Sequence, residues 1–323
     1  MKVLVVGGAG YIGSHMVKQL RNAGHEPVVL DDLSNGHADA VLGAKLIVGN
    51  CGDPDVLEPL FRSQKIDCVM HFAGLIQVGE SVREPAKYYN NNVCAMMTLL
   101  DAMLRHGVKE LVFSSTAAVY GQAGSTPLDE SSPISPINPY GRSKWFMEQV
   151  LQDYESAYRL RTISLRYFNA AGADPDGELG ERHEPETHLI PLILRVASGR
   201  QDAIQVFGRD YPTPDGTCIR DYIHISDLCN AHLAALESLR SGAKGSAYNL
   251  GNGKGFSVAQ IIEAAKSVTG RPIQVIERDR RAGDPAILVA NADRARAELG
   301  WSPRFPDIED IISHAWNWER TGL

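Results

Sequence analysis

Cysteine is scarce and scattered in this chain of 323 residues. Disulfide frameworks and cysteine-based zinc sites are typical of paired, closely spaced cysteines, whereas here the number is odd and the spacing is wide. The sequence therefore predicts no disulfide framework and no metal site, and it favours a reducing compartment, the cytoplasm. The five cysteines are Cys51, Cys68, Cys94, Cys218 and Cys229.

Long apolar runs and an excess of positive charge are also missing. No stretch approaches the ~18 apolar residues that cross a bilayer. The opening MKVLVVGGAGYIG breaks into glycines after six residues, unlike a signal peptide, so we expect no membrane segment. The formal net charge is −7 and the basic residues are dispersed, which predicts that nucleic acid is not a partner.

Short β-branched runs, such as Lys2–Val6, alternate with helical patterns through the first half of the chain, including one long helical pattern over Tyr88–His106. This alternation predicts an α/β fold, with a Rossmann-type doubly wound parallel sheet. The second half has shorter elements. We predict a dinucleotide-binding domain over residues 1–170, to which some later segments return, and a smaller C-terminal α/β substrate-binding lobe mainly over 171–323.

Three glycines follow the first predicted strand in VLVVGGAGYIGSH and lead into a helix. Gly7 permits a tight turn, Gly10 lets the backbone approach a pyrophosphate, and Gly13 allows close helix packing. The helix N-terminus attracts phosphate through its N–H groups and dipole. The second strand ends at Asp31, eighteen residues past Gly13, where a carboxylate binds an adenosine ribose and repels a 2′-phosphate. The pattern predicts NAD rather than NADP.

Tyr140 and Lys144 lie four residues apart in NPYGRSK, so a helix places both side chains on one face. A phenol with its usual pKa near 10 is a weak base, and a nearby ammonium and a positively charged nicotinamide lower that pKa. Tyr140 is then predicted to take a proton from a substrate hydroxyl while hydride goes to the nicotinamide. Lys144 is predicted to hold the nicotinamide ribose, and Thr116 of FSSTAAVYG to bridge the substrate oxygen and the tyrosine.

Other polar residues have a structural interpretation. The acidic stretch ADPDGELGE lacks the ligand spacing of an EF-hand, so we expect a solvated loop. His71 and His224 have no second metal ligand at a useful spacing, and we expect them to make structural hydrogen bonds.

The G-x-x-G-x-x-G spacing of the glycines resembles the extended short-chain dehydrogenase/reductase superfamily. Sugar-nucleotide enzymes of that superfamily share the oxidation of C4 to a ketone. The dehydratases among them carry acidic residues directly after the threonine, and the decarboxylases carry a glutamate in the same neighbourhood. Here Ala117 and Ala118 occupy those positions and neither gives nor takes a proton. The resemblance implies oxidation at C4 and return of the hydride, which yields the C4 epimer when the ketone turns over in between.

A set of motifs extends the resemblance over essentially the whole chain, to the UDP-glucose (UDP-galactose) 4-epimerase family. They are GGAGYIGSH, HFAGLIQVGES, YYNNNV, FSSTAAVYG, PYGRSK, LRYFNAAGA, DYPTPDGTCIRDYIH, YNLGNGKGFSV and RRAGDP…ELGW. The resemblance implies reversible C4 epimerisation of UDP-galactose and UDP-glucose through a transient 4-keto sugar, with hydride stored on tightly bound NAD in a homodimer. The alternatives are a 4-epimerase of UDP-GalNAc and UDP-GlcNAc or of UDP-pentoses, and, more remotely, a non-catalytic nucleotide-binding protein.

The resemblance also implies which residues bind the ligands. NAD contacts fall on Gly7, Gly10, Tyr11, Ile12, Gly13, Asp31, Asp32, Leu33, Ser34, Asn35, Gly36, Asn50, Cys51, Phe72, Ala73, Gly74, Leu75, Ile76, Asn91, Thr116, Tyr140, Lys144 and Phe168. UDP-sugar contacts fall on Thr116, Tyr140, Asn169, His188, Leu189, Gln205, Val206, Phe207, Arg220, Arg281, Asp284 and Leu288. Arginines suit the diphosphate because a guanidinium pairs bidentately with phosphate oxygens.

Four positions depart from the residues usual in that family. Ile76 stands where lysine is common, and Asp32 and His188 stand where asparagine is common. Leu288 replaces the bulky tyrosine of some members and leaves more room, which suggests the hypothesis that N-acetylated sugars are accepted.

Overall fold

The computed structural model describes residues 1–122, 127–281 and 284–322, and the chain divides into two units. The first unit comprises Met1–Gly121, Pro133–Arg166 and Cys229–Tyr248, and the second comprises Gln122–Ser132, Tyr167–Leu228 and Asn249–Leu323.

The strands are β1 Lys2–Val6, β2 Glu26–Asp31, β3 Lys45–Val48, β4 Cys68–His71, β5 Glu110–Ser114, β6 Arg161–Tyr167, β7 Asn169–Ala171, β8 Ile204–Phe207, β9 Ile219–His224, β10 Ser246–Leu250, β11 Gly255–Ser257, β12 Val275–Arg278 and β13 Ile287–Leu288.

Helices alternate with the strands through the first unit. The helices of both units are α1 Tyr11–Asn22, α2 Pro54–Gln64, α3 Val78–Arg83, α4 Pro85–Tyr89, α5 Ala95–Arg105, α6 Pro139–Tyr158, α7 Leu189–Ala197, α8 Ile225–Arg240, α9 Val258–Thr269, α10 Asp293–Leu299 and α11 Ile308–Glu319. Short 3₁₀ helices cover Ala38–Val41 and Ala117–Tyr120, and a π-helical turn covers Asn90–Cys94. None of the helices in the described part of the chain combines the length and the apolar content needed to cross a membrane.

A seven-stranded sheet forms the centre of the first unit, in the order β10-β6-β5-β4-β1-β2-β3. β1 pairs in parallel with both β2 and β4, and β5 pairs in parallel with β4 and β6. Val3–Val6 are at most 1% exposed, because helices cover both faces of such a sheet. The predicted Rossmann-type α/β fold is confirmed.

The long helix predicted over Tyr88–His106 is confirmed as continuous helical backbone, and it contains one π-helical turn that the sequence pattern did not show. The π-helical turn at Asn90–Cys94 separates α4 from α5. Within the turn, the Asn92 side chain accepts a hydrogen bond from Leu75 N (2.8 Å) and donates to Leu75 O (3.0 Å). Single π turns are common at functional sites, and this one ties the helix to the loop that follows β4.

The second unit contains smaller sheets and its own core. β9 pairs with β11, β13 and β7, and β12 pairs with β8. Helices α7, α9 and α11 pack on each other through apolar side chains that are almost fully buried, among them Ile190, Ile193, Ile261, Ile311 and Ile312.

The turn between β1 and α1 depends on glycine at two positions. Gly7 has φ +79°, and a Cβ there would lie 2.5 Å from Ala73 N. A Cβ on Gly13 would overlap the Gly7 carbonyl oxygen, whereas one on Gly10 would lie 3.5 Å from that oxygen, an ordinary contact. The close helix packing predicted for Gly13 is therefore present.

Replacing Gly13 by alanine should destabilise the fold more than the same change at Gly10. Overpacking of this kind costs about 1–3 kcal/mol, which lowers the thermal unfolding midpoint by roughly 1.5–4.5 °C in a protein of this size. Calorimetry of Gly13→Ala, with Gly10→Ala as the matched control, measures the difference. Equal midpoints for the two variants would contradict the close approach at Gly13.

Candidate active site

Three consecutive hydroxyl residues at the end of β5 have three different partners in the first unit. Ser114 Oγ lies 3.3 Å from His232 Nε2. Ser115 Oγ donates a hydrogen bond to Glu148. The third hydroxyl of the series, Thr116, interacts with Tyr140 and lowers its pKa, so the structure brings together two of the residues predicted to do chemistry.

Tyr140 occupies the first turn of α6, and local sequence fixes where that helix begins. Asn138 is the N-cap, its side chain accepting a hydrogen bond from Gly141 N (2.8 Å), and Pro139 is the first helical residue. Tyr140 is 9% exposed and Thr116 is 8% exposed. Burial raises the pKa of Tyr140, and the hydrogen bond with Thr116 partly opposes the rise. Without the cofactor, desolvation of the phenolate therefore dominates; the lowering is predicted for Lys144 together with the charged nicotinamide and stays a prediction.

Lys144 lies one helical turn beyond Tyr140 and is 4% exposed. Its ammonium donates a hydrogen bond to Ser114 O (3.0 Å) and lies 5.0 Å from the centroid of the Phe113 ring. Burial lowers the pKa of Lys144 to about 8. The ammonium therefore sits at the end of β5, beside the backbone that leads into Thr116.

Glu148, one more turn along the same face of α6, is a residue that the sequence analysis missed. Its carboxylate accepts hydrogen bonds from Ser115 and from Arg166 of β6, at 3.0 and 3.1 Å from Arg166 Nε and 2.6 Å from Nη2. Arg166 also donates to the Tyr120 hydroxyl (3.0 Å). This buried network joins the segment that carries Thr116 to the helix that carries Tyr140. The spacing Tyr140, Lys144, Glu148, always four residues, is the signal that could have identified it.

The two alanines after Thr116 lie in a confined place. Thr116 caps the 3₁₀ helix Ala117–Tyr120, its hydroxyl accepting a hydrogen bond from Ala118 N (3.1 Å). Ala117 is 3% exposed, and a Cβ on Gly141 would lie only 2.6 Å from Ala118 O. Small residues on both sides let α6 approach the end of β5 closely, and neither alanine supplies an acid or a base.

The loops around Asp31 contain most of the residues predicted to bind NAD. Asp31 accepts hydrogen bonds from Ala9 N (2.8 Å) and Leu33 N (2.9 Å), and burial raises its pKa. Asp32 accepts from Ser34 N and from Asn50 Nδ2, both at 3.0 Å. Asp31 thus holds the glycine turn and the loop after β2 together.

The loop after β4 carries a second group of these residues. Phe72 N and Ala73 N donate to Val6 O (2.8 and 3.0 Å), which places the start of this loop beside the end of β1. A Cβ on Gly74 would meet Lys144 Nζ at 3.2 Å. Ile76, which replaces a polar residue of the related family, is 41% exposed.

The geometry at the glycine turn fits a dinucleotide. Side chains at positions 7 and 13 would fill the turn, and the N-cap residue of α1, Gly10, has no side chain to shield the helix N-terminus. A pyrophosphate can therefore approach the positive end of the α1 dipole. The predicted cofactor residues from Gly7 to Asn91, and Thr116, Tyr140 and Lys144, lie in the first unit, whereas Phe168 lies in the second.

The residues predicted to bind the UDP-sugar, apart from Thr116 and Tyr140, lie in the second unit. Arg220 of β9 pairs with Asp284, and the Arg281 guanidinium lies 3.9 Å from the centroid of the Phe207 ring. Leu288 of β13 pairs in register with Arg220. Gln205 and Val206 belong to β8, where Gln205 is exposed and Val206 is buried. Asn169 begins β7 and Leu189 begins α7.

His188 precedes α7 and makes contacts that the sequence analysis did not predict. Its Nδ1 is hydrogen-bonded to Glu181 and lies 3.7 Å from Glu186 Oε1. Although burial opposes the change, Glu181 and then Glu186 raise the pKa of His188 to about 9. Although burial again opposes the change, His188 and then His183 lower the pKa of Glu181 to about 2.

The two histidines expected to be structural differ from each other. His224 Nδ1 accepts a hydrogen bond from Ser226 N and its Nε2 lies near His314 Nδ1, each at 3.0 Å, as expected. Both ring nitrogens of His71 are buried without a hydrogen-bond partner in the described part of the chain, so that prediction is wrong. Burial, followed by the Lys144 charge, lowers the pKa of His71 to about 3.

Comparison with known proteins gives consistent matches along the chain. Residues 3–251 match the model of the NAD dependent epimerase/dehydratase family. A UDP-glucose 4-epimerase of Halalkalibacterium halodurans is 50% identical over 320 residues, which are 99% of this chain and 96% of that protein. The crystal structure of UDP-glucose 4-epimerase from Brucella ovis in complex with NAD has 48% identity and a TM-score of 0.95, covering 98% and 97% of the two chains. The enzyme from Bifidobacterium longum in complex with NAD+ and UDP has 39% identity and a TM-score of 0.95, covering 99% and 98%.

The low pKa of Lys144 has a consequence for stability at alkaline pH. The unfolded chain releases this proton near pH 10.4 and the folded chain near pH 8. Between these values the unfolded state binds more protons, so the free energy of unfolding rises with pH. Relative to Lys144→Met, the wild type should gain up to about 3 kcal/mol across this window, since each pKa unit corresponds to about 1.4 kcal/mol.

Urea unfolding from about pH 7 to about pH 10 measures this difference. Lys266→Met is the control, because the Lys266 ammonium pairs with Glu263 at the surface, and it should follow the wild-type profile. Parallel profiles for the wild type and Lys144→Met would contradict the buried ammonium.

Proposed function

The chain belongs to the NAD dependent epimerase/dehydratase family, and we propose how its own residues perform the reaction. It is an epimerase that inverts C4 of the sugar in a UDP-sugar and uses NAD as cofactor. The observation that carries the residue assignment is the buried contact between Tyr140 and Thr116, with Lys144 one helical turn away.

Tyr140 is the acid and base of the proposed reaction. Its phenolate oxygen removes the proton from the C4 hydroxyl of the sugar and later returns it to the C4 oxygen, after the 4-keto sugar has turned over. Bound NAD would supply the acceptor and donor of the C4 hydride, which returns to the opposite face of the ketone. Thr116 is proposed to bridge the sugar oxygen and the Tyr140 oxygen, which keeps the path of the proton short.

Positive charge beside Tyr140 makes that step possible at neutral pH. Burial alone raises the pKa of Tyr140. Bringing a phenol from its usual value near 10 to about 7 requires roughly 4 kcal/mol of differential stabilisation of the phenolate. The Lys144 ammonium and the cationic ring of the bound cofactor supply it in the proposed complex, where little water screens them.

Cofactor binding is assigned to the loops of the first unit. The glycine turn and the N-terminus of α1 are proposed to hold the pyrophosphate, and Asp31 the adenosine ribose. The carboxylate also excludes a 2′-phosphate by charge repulsion. Lys144 is proposed to hold the nicotinamide ribose in addition to its hydrogen bond with Ser114 O.

Substrate binding is assigned to the second unit. Arg220 and Arg281 are proposed to bind the diphosphate of UDP, because guanidinium groups match phosphate oxygens in charge and geometry. A nucleotide held by its diphosphate leaves the sugar able to turn. The 4-keto sugar can then present its other face to the same cofactor, which is what distinguishes an epimerase from a dehydrogenase.

The apolar surface of the first unit supports the proposal of a homodimer in the cytoplasm. Phe146 and Tyr158 of α6 are each 50% exposed, and Tyr89 of α4 is 37% exposed. Exposed aromatic side chains on neighbouring helices are typical of helix-bundle interfaces.

The five cysteines are free, which supports the proposal of a reducing compartment.

Tyr140→Phe should abolish turnover and leave the cofactor in place. Loss of a positioned acid and base lowers kcat by about 100- to 10,000-fold, while the phenyl ring still fills the buried site. Conversion of UDP-galactose to UDP-glucose without added cofactor measures turnover, and the NAD released on denaturation measures occupancy.

Tyr158→Phe, on the same helix at the surface, should keep the wild-type rate. Wild-type turnover by Tyr140→Phe would assign the proton transfer to another group, and net accumulation of NADH with product would indicate a dehydrogenase instead.

The dimer proposal predicts a solution mass of twice 35.2 kDa for the wild type at micromolar concentration. Phe146→Glu should shift the mass toward the monomer, since a carboxylate is costly to bury. Val48→Glu is the control, because Val48 is 61% exposed on the edge strand β3. Light scattering that gives a monomer for the wild type would contradict the dimer.

A further inference from the structure

Four potential metal ligands converge on the segment from residue 181 to residue 188 of the second unit. They are Glu181, His183, Glu186 and His188, and one ligand atom from each lies within 4.8 Å of the others. His183 Nδ1 lies 2.9 Å from Glu181 Oε1, and His188 Nδ1 lies 3.7 Å from Glu186 Oε1 and in contact with Glu181. Two imidazoles and two carboxylates therefore face one small volume.

Two of these separations are close to those of a coordination shell. Zinc bonds to imidazole nitrogen and carboxylate oxygen are about 2.0–2.1 Å long, so ligand atoms at tetrahedral corners lie about 3.3 Å apart. The distances of 2.9 and 3.7 Å lie on either side of that value, whereas Glu181 and His188 are in direct contact and would move apart around an ion. We propose that Glu181, His183, Glu186 and His188 bind one divalent transition-metal ion of the Zn²⁺ type.

Burial and charge favour a cation at this place. The side chains of Glu181 and Glu186 are 5% and 1% exposed, and two buried carboxylates close together repel each other. A divalent ion balances both negative charges, whereas a protonated His188 balances only one of them. The His183 and His188 side chains are 22% and 42% exposed, so an ion can enter from solvent on their side.

The ligand segment is held in place by residues outside it. Trp318 Nε1 of α11 donates to Glu181 O (3.2 Å), and a Cβ on Gly180 would overlap the Trp318 ring. Arg195 of α7 donates to His183 O (3.2 Å). These contacts fix the backbone of the segment, from which the four side chains project.

The ligand spacing explains why the sequence analysis predicted no metal. Sequence rules for zinc rest on cysteine pairs or on histidines four residues apart on a helix. Here the order is E-x-H-x-x-E-x-H, in a segment outside helices and strands. His188 is also proposed to contact the UDP-sugar, but the metal proposal does not depend on that role.

Metal titration of the whole chain with its bound NAD tests the proposal. Untagged protein is stripped with a chelator, desalted and titrated with ZnCl₂ in a calorimeter, and with CoCl₂ in a spectrophotometer, since tetrahedral Co²⁺ absorbs strongly in the visible range. We expect one ion per chain, with affinity at least 10-fold weaker in His183→Ala and in Glu186→Gln. Asp176→Asn is the control: it removes an exposed carboxylate from the adjacent acidic loop and should bind like the wild type.

Each outcome supports or overturns the site. Absence of saturable binding in the wild type, or binding lost in Asp176→Asn and kept in His183→Ala, would overturn it. Circular dichroism and NAD content verify that the variants fold, and His183→Gln, with a similar size and no imidazole, repeats the test if His183→Ala does not. Because the readout is metal binding, a failure leaves the epimerase assignment unaffected, and loss of turnover in Tyr140→Phe does not bear on the metal.

Discussion

The buried ion pair between Glu148 and Arg166 is the interaction on which the proposed catalytic arrangement of the first unit depends. Both side chains are nearly inaccessible, at 2% and 6% exposure, and their remaining hydrogen-bonding capacity goes to Ser115 and Tyr120. Removing one member of such a pair strands a buried charge and costs about 3–5 kcal/mol. Through Ser115, the pair links the end of β5, which leads into Thr116, to α6, which carries Tyr140.

Burial shifts the pKa values of the two groups proposed to perform the chemistry in opposite directions, and both shifts favour the neutral form. It raises the pKa of Tyr140 and lowers that of Lys144 to about 8. A neutral phenol is a poor base, so the protein by itself is not poised to remove a proton. The positive charge that arrives with the bound cofactor corrects this in the proposed mechanism, and proton transfer is thereby coupled to the presence of the hydride acceptor.

Division of labour between the two units follows from the chemistry of the ligands. The first unit offers backbone N–H groups at the glycine turn and the Asp31 carboxylate, which is proposed to bind the adenosine ribose, and both suit a dinucleotide. The second unit offers arginines, one paired with Asp284 and one stacked on Phe207, which suit a diphosphate. A substrate held through its diphosphate keeps a mobile sugar, and epimerisation requires that mobility.

The sequence alone determined the features set by local pattern: the strand–helix alternation, the glycine turn with Asp31, and the placement of Tyr140 and Lys144 on one helical face. Periodicity and turn chemistry act between near neighbours, so they are visible in the residue order. Tertiary structure decided what depends on distant or irregular partners. Glu148 meets Ser115 and Arg166 across three elements, Asn92 leaves the helix pattern to bind Leu75, and the 181–188 segment has no repeating geometry from which the directions of its side chains follow. Burial, which sets the pKa of Tyr140 and Lys144, likewise exists only once the chain has folded.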